Sequence, residues 1–200
     1  MTRWARIGLM LLLAWLARGA FRSAYGVVPL ISDIDLAVHE FGHMLFMPFG
    51  ILILGTTMML LGGSLFQVVF PLIFVVYFLR PNESGARRDV YAATVCLWWT
   101  SINLLGVAIY ANDARAGVLM LVNGQTGQEA GGQDWTHIFT AWGVLDHDTA
   151  IAARIRAVAS LLCVSSILAG LYVAWMASEP AQGLPSQGGS GSEGEAPASA

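Results

Sequence analysis

The sequence predicts an all-α protein, a polytopic membrane bundle of four to five transmembrane helices with a polar loop or cap segment. Hydrophobic residues make up 56% of the 200 residues, charged residues only 12%, and the mean hydropathy is +0.63. A soluble domain carries about 25% charged residues, so the composition argues against both a soluble globular domain and a disordered chain. All ten basic residues are dispersed arginines and the net charge is −3, which excludes a nucleic-acid partner and leaves the lipid bilayer as the expected environment.

Five apolar stretches are candidates for crossing this bilayer. A spanning helix needs about 20 mostly apolar residues. Four stretches meet that length, and they are 4–20, 51–79, 90–111 and 157–177. The first is expected to be a retained helix, because the Ala-Arg-Gly-Ala junction at its end is a poor signal-peptide cleavage site. A fifth stretch, 25–48, is apolar but is interrupted by acids and histidines.

Two polar segments complete the organisation of the chain. Residues 112–153 contain six glycines and several acids between the last two apolar stretches, which predicts a loop or small cap on one face of the bundle. Residues 178–200 consist mostly of Gly, Ser, Pro, Ala, Gln and Glu, which is typical of a flexible acidic tail. The expected domain organisation is therefore one membrane-embedded unit, 1–177, followed by that tail.

The most specific chemical signal is the H-E-x-x-H motif at His39–His43. Residues i and i+4 lie on one face of a helix, so both imidazoles can reach one cation, and zinc accepts such nitrogens. Glu40 lies beside the first histidine and could take a proton from a zinc-activated water, whose pKa the cation lowers to about 7. The motif predicts a zinc site with His39 and His43 as ligands and Glu40 as general base.

The surroundings of the motif distinguish this interpretation from a chance surface pattern. The flanking residues are apolar, as expected inside a membrane segment. Ionisable groups at the centre of such a segment cost roughly 2.5–3.5 kcal/mol each on insertion scales. Three of them within five residues are difficult to explain without a cation. The sequence therefore favours metal binding.

Upstream of the motif, the acids admit two interpretations. Ser32-Asp33-Ile34-Asp35 matches a capping box, which would begin the helix there, after Pro29. Alternatively, Asp35 lies four residues before His39 and could orient its ring by a hydrogen bond. The cap is favoured for Ser32, and the role of Asp35 stays open. Pro48 is expected to end or kink the helix.

With Gly42 before the second histidine, the motif resembles the H-E-x-G-H of the site-2 proteases, which are intramembrane zinc metalloproteases of the peptidase M50 type. The resemblance implies a zinc metalloendopeptidase that hydrolyses peptide bonds of membrane-protein substrates. The chain also resembles small uncharacterised bacterial membrane proteins, which implies a multi-pass protein of a bacterial plasma membrane. Those proteins share three further short motifs with it, found here as Gly62-Gly63-Ser64-x-x-Gln67, Asp113-Ala114-Arg115 and Asp134-Trp135.

The family order implies a third zinc ligand, an aspartate two core helices after the histidines. Asp113 follows the 90–111 stretch and meets that order, and if both stretches span, they run parallel and bring it to the face of the histidines. No glycine follows Asp113, however, whereas the family pattern is Leu-Asp-Gly. Asp113 is therefore the preferred ligand, Asp134, Asp146 and Asp148 are alternatives from the polar segment, and a site without a third protein ligand is the remaining alternative.

Asn103 is a polar side chain inside the 90–111 stretch, and its role has two interpretations. An interhelical hydrogen bond would contribute about 0.6 kcal/mol. In the protease interpretation, Asn103 would instead bind the substrate backbone or the oxyanion.

Two other functions compete with a protease: a non-catalytic metal-binding membrane protein that regulates or supports a partner, and a metal transporter.

Overall fold

The computed structural model of the chain describes residues 1–51, 55–81 and 88–177, and these parts are built from α-helices. The helices in them are α1 Arg3–Arg22, α2 Ile31–Phe49, α3 Thr56–Leu79, α4 Val90–Asn112, α5 Asp134–Ala141 and α6 Asp148–Met176. The only β-type pairing in the described ranges is an isolated bridge between Met120 and Thr126. The predicted all-helical fold is confirmed. The predicted tail 178–200 lies outside the described residues.

Four helices are long and apolar enough to cross a membrane. They are α1, α3, α4 and the unit Leu145–Met176, in which a short 3₁₀ turn, Leu145–His147, leads into α6. The described helices therefore agree with four membrane crossings, the lower end of the predicted four to five. The stretch 25–48, predicted as a fifth crossing, instead forms a loop and α2, and α2 is not among the four.

Helix α4 lies at the centre of the bundle and contacts α1, α3 and α6. Its tryptophan Trp98 and its Leu105 are almost completely buried in the main apolar core. At one end of the bundle, the Tyr91 hydroxyl donates to the Arg6 carbonyl, so α1 and α4 run in the same direction. The outer faces of α1, α3 and α6 carry exposed leucines, valines and aromatic residues, as expected for helices that face lipid.

Helix α2 begins one residue before the predicted start, and its first turn differs from the predicted cap. Leu30, with φ of 65°, precedes the helix and makes no side-chain capping bond. The Ser32 hydroxyl instead accepts a hydrogen bond from the Val28 N–H, so the capping box at Ser32 is wrong. The helix also continues through Pro48 and ends at Phe49.

The position of α2 along α4 explains why its polar residues lie inside the bundle. Asn103 Nδ2 of α4 donates to Asp35 Oδ1 at 3.1 Å, and Asn103 precedes the end of α4 at Asn112 by nine residues. At 1.5 Å per residue, this places Asp35 roughly 14 Å inside that end. Helix α2 therefore starts deep in the bundle and runs from there toward the cap.

Helices α2 and α3 pack at the closest approach that their backbones allow. A Cβ added to Gly42 would lie 2.5 Å from the Gly62 carbonyl oxygen, and one added to Gly62 would lie 2.5 Å from Phe46 Cβ. Only glycine permits this contact, which is how small residues bring membrane helices together. Gly62 and Gly63 lie within an unbroken helix, and they place α3 directly against the histidine face of α2.

The residues between α4 and α6 form a cap over the end of the bundle at which α4 ends. Asp113 ends α4, and its carboxylate accepts hydrogen bonds from the Val118 and Leu119 N–H groups, each at 3.0 Å. The Thr136 hydroxyl of α5 donates to the Ala114 carbonyl at 2.6 Å. These bonds tie the loop after α4 to α5, which packs against α3.

Arg115 connects the cap to α6, and its replacement by Ala is expected to loosen that connection. The Arg115 guanidinium donates from Nε to Asp148 Oδ1 at 2.8 Å, and its Nη2 lies 2.7 Å from the same oxygen. The side chain of Asp148 is only 2% exposed. Arg115→Ala leaves that buried carboxylate without its cation, so the variant is expected to unfold at a lower temperature than wild type. Thermal unfolding in detergent measures the loss, and Arg154→Ala on the exposed side of α6 is the control. Equal midpoints for the two variants would contradict this role.

Candidate metal centre

The two histidines of the motif lie on the face of α2 that packs against α3, and a carboxylate from the cap joins them. His39 Nε2 and His43 Nε2 are 3.1 Å apart. Asp134 Oδ2, from the first turn of α5, lies 3.5 Å from the former and 3.2 Å from the latter. Three potential ligand atoms from two separate elements therefore converge on one point, and this group could hold a metal ion.

Hydrogen bonds on the far side of each ring orient the imidazoles. His39 Nδ1 donates to Gln67 Oε1 at 3.0 Å, and His43 Nδ1 donates to the Met59 carbonyl oxygen at 2.9 Å. Both acceptors are carbonyl oxygens, so they hold the proton on Nδ1 and leave the lone pair of Nε2 directed at the cluster. This is the tautomer that binds a metal through Nε2.

The donor set fits zinc. Two Nε2 lone pairs and a carboxylate oxygen repel one another at 3.1–3.5 Å, and a bound cation, either a proton or a metal ion, would relieve this repulsion. Tetrahedral zinc with nitrogen ligands at 2.0–2.1 Å requires ligand atoms about 3.3 Å apart. Three protein ligands also match a catalytic zinc site, which keeps its fourth position open.

Gly63 of α3 provides the space beside these atoms. A Cβ on Gly63 would lie 2.5 Å from His43 Nε2 and 2.7 Å from His39 Nε2. Any larger residue at this position would therefore press on both donor nitrogens. The glycine both allows α3 to approach and leaves room beside the metal-binding atoms.

Short side-chain contacts bring Asp134 to this position. The neighbouring Trp135 is buried, and its Nε1 donates to Ser64 Oγ on α3 at 3.1 Å. On the other side, Gln133 Nε2 donates to the Tyr110 carbonyl at 2.9 Å. Trp135 therefore pins α5 onto α3, so that the first turn of α5 faces the histidines.

The local electrostatics keep Asp134 in the form that binds a cation. Burial disfavours the charged carboxylate, but hydrogen bonding with His39 and His43, which requires a proton on Nε2 in place of a metal ion, outweighs it and holds the pKa of Asp134 well below its usual range. The group is therefore a carboxylate near neutral pH.

The predicted general base lies beside the three ligand atoms. Glu40 is exposed and lines a cleft of about 760 Å³ together with His39, His43 and Asp134. The cleft runs between α2, α4 and the cap, and it is lined largely by apolar side chains. Glu40 can therefore meet a molecule that enters the cleft next to the metal centre.

The aspartate that lies beside the histidines is not Asp113, which the sequence favoured as the third ligand. The structure does not bring Asp113 to the histidines, because its carboxylate closes the loop by binding two backbone N–H groups. Asp148 pairs with Arg115 at the start of α6, and Asp146 is exposed in the preceding turn. The carboxylate at the site is Asp134, one of the alternatives.

Asn103 lies behind the cleft. It is 1% exposed, and its Nδ2 donates to Asp35 and to the Trp99 carbonyl. The amide therefore bonds to the chain itself, and it orients Asp35.

Three residues at the site were not assigned to it from the sequence: Gln67, Gly63 and Tyr110. The first two belong to the Gly62-Gly63-Ser64-x-x-Gln67 motif, and their spacing by four residues on one helix face was the available signal. The Tyr110 hydroxyl donates to Asp134 Oδ2 at 3.4 Å, and its ring centroid is 5.9 Å from that of His39. No motif marks this tyrosine in the sequence.

The site thus consists of two oriented imidazoles, one carboxylate and an adjacent glutamate in an apolar cleft. Comparison with known proteins found no matching family model, no matching curated protein and no matching solved structure.

Proposed function

We propose that this protein is an intramembrane zinc metalloprotease of the site-2 protease type, which hydrolyses peptide bonds of membrane-protein substrates in a bacterial plasma membrane. The observation that carries the proposal is the convergence of His39, His43 and Asp134 beside Glu40, in a cleft that α2 and the cap line together with α4, a helix apolar enough to cross a bilayer. Ionisable groups in such surroundings are costly and are therefore usually functional.

The roles of the residues follow from their positions. Zinc held by His39, His43 and Asp134 would supply a Lewis acid that polarises the substrate carbonyl and makes water acidic. The Glu40 carboxylate takes a proton from the attacking water and delivers it to the nitrogen of the leaving amine. The Tyr110 hydroxyl, which donates to Asp134 Oδ2 at the edge of the cluster, would turn this hydrogen bond to the negative oxygen that develops on the carbonyl.

The test separates catalysis from metal binding. Glu40→Gln removes the base but none of the three ligands, so the variant is expected to keep zinc and to lose about 10²–10⁴-fold in cleavage rate. Cleavage of a library of transmembrane peptides by purified protein in liposomes, followed by mass spectrometry, measures the rate. Glu129→Gln, an equivalent change in an exposed turn of the cap, is the matched control and should cleave at the wild-type rate.

Two results would overturn the proposal. Cleavage by Glu40→Gln at the wild-type rate would remove the glutamate from the mechanism. Stoichiometric zinc in a wild-type protein that cleaves no member of the library would favour the alternative, a metal-binding membrane protein that supports or regulates a partner.

A further inference from the structure

The cleft does not end at the metal centre but continues along α2 to a second, isolated carboxylate. Asp35 lines the cleft and is 5% exposed. It precedes His39 by one helical turn on the same face of α2, which corresponds to a rise of about 6 Å. A molecule that lies across the metal centre can therefore reach Asp35 with a side chain.

The carboxylate of Asp35 is held in place, but its charge is not neutralised by the groups that hold it. Trp99 Nε1 donates to Oδ1 at 2.7 Å, and Asn103 Nδ2 donates to the same oxygen at 3.1 Å. Both donors are neutral, so neither supplies a compensating positive charge. Behind them, Asn103 Oδ1 is buried and accepts no hydrogen bond from the described residues. The cluster therefore has an excess of acceptors over donors.

The apolar residues that line the cleft include Val27, Leu36, Ile102 and Gly106, beside the polar Ser32 and Gln67. A largely apolar cleft with a buried carboxylate in its wall suits a long aliphatic stem with a cationic head, as in lysine or arginine. Such a head would supply the charge that the neutral donors lack, and a buried carboxylate is strongly stabilised by a paired cation.

We propose that this part of the cleft is a specificity pocket in which Asp35 binds a lysine or arginine side chain of the substrate. This inference rests on the proposed protease function. An extended peptide advances about 3.3 Å per residue, so a rise of about 6 Å corresponds to one or two residues. The basic residue therefore lies within two positions of the bond that is cleaved.

The experiment uses the full-length protein in liposomes and pairs of transmembrane peptides that differ at one position near the cleaved bond. One peptide of each pair carries lysine and the other norleucine, which keeps the aliphatic stem without the charge. Wild type is expected to cleave the lysine peptide at least about tenfold faster in kcat/KM, the effect of one charge-assisted hydrogen bond. Asp35→Asn is expected to reduce this ratio to near one. Asp33→Asn, an equivalent change at an exposed position of the same helix, should keep the wild-type ratio.

A binding measurement keeps the inference testable apart from catalysis. Fluorescence anisotropy compares the affinities of the same two labelled peptides for Glu40→Gln protein, with and without Asp35→Asn. Tighter binding of the lysine peptide that depends on Asp35 supports the pocket even if wild type cleaves neither peptide, an outcome that would refute only the protease. Equal cleavage rates and equal affinities for the two peptides, or a preference for lysine that persists in Asp35→Asn, would overturn the proposed specificity pocket.

Discussion

Replacing Asp134 by alanine is expected to abolish stoichiometric zinc binding, whereas the wild-type protein is expected to hold about one zinc ion per chain. Asp134 would supply one of the three ligand atoms of the proposed site, and changes to groups that only orient ligands already cost 10–100-fold in affinity. Removal of the ligand itself is therefore expected to weaken zinc binding by more than about 100-fold. Competition titration against a chelating dye measures the affinity, and elemental analysis gives the zinc content.

Two other aspartates of the same segment serve as controls for this experiment. Asp113→Asn and Asp146→Ala are expected to retain zinc, because the first carboxylate binds backbone N–H groups and the second is exposed. A chelator should also lower the unfolding midpoint of wild type but not that of Asp134→Ala, since a metal bound to the native state stabilises it. Loss of zinc from Asp113→Asn with retention by Asp134→Ala would show that the ligand assignment is wrong.

The second large effect is expected from Gly63→Ala, the addition of a single methyl group. This Cβ would lie 2.5 Å from His43 Nε2 and 2.7 Å from His39 Nε2, closer than any ordinary contact. Either the rings or α3 must move, so zinc affinity is expected to fall by at least about tenfold, as it does when ligand orientation is lost. The same titration and elemental analysis measure the fall.

The control for this substitution is the same change at an uncrowded helical glycine. A Cβ at Gly8 in α1 meets nothing within 4 Å, and alanine there favours the helix by up to about 1 kcal/mol. Gly8→Ala should therefore keep zinc affinity and unfolding midpoint at or above wild type. Wild-type zinc affinity in Gly63→Ala would contradict the close packing of α3 against the histidines.

The transmembrane helices could be predicted from the sequence because each is a long apolar run, and length and hydropathy suffice for such runs. The position of helix α2 in the bundle could not be predicted in this way. Its polar residues interrupt the run, and it starts deep in the bundle at the level of Asn103. This position depends on the packing against α3 and α4, which the local pattern of residues 25–48 does not contain.

The histidine pair could likewise be predicted, because the spacing of His39 and His43 follows directly from helix geometry. The third ligand could not. Order along the chain favoured Asp113, whereas Asp134 reaches the site because α5 folds back and Trp135 bonds to Ser64 on α3. That contact joins residues 71 positions apart, and neither local pattern nor chain order indicates it.

The three short motifs that accompany the H-E-x-G-H motif in the sequence all help to assemble the candidate metal site. Gly63 and Gln67 of α3 make room for the imidazoles and orient one of them. Arg115 connects the cap to α6, and Trp135 connects the cap to α3. The motifs are scattered in sequence because the site is assembled from α2, α3 and the cap.

Anomalous diffraction at the zinc absorption edge, from crystals of the protein purified without chelators, tests the metal centre most directly. A single strong peak is expected between the three side chains, with His39 Nε2, His43 Nε2 and an Asp134 oxygen each about 2.0–2.2 Å from the metal. A peak coordinated by Asp113 instead, or no peak beside His39 and His43 in zinc-supplemented crystals, would contradict the account.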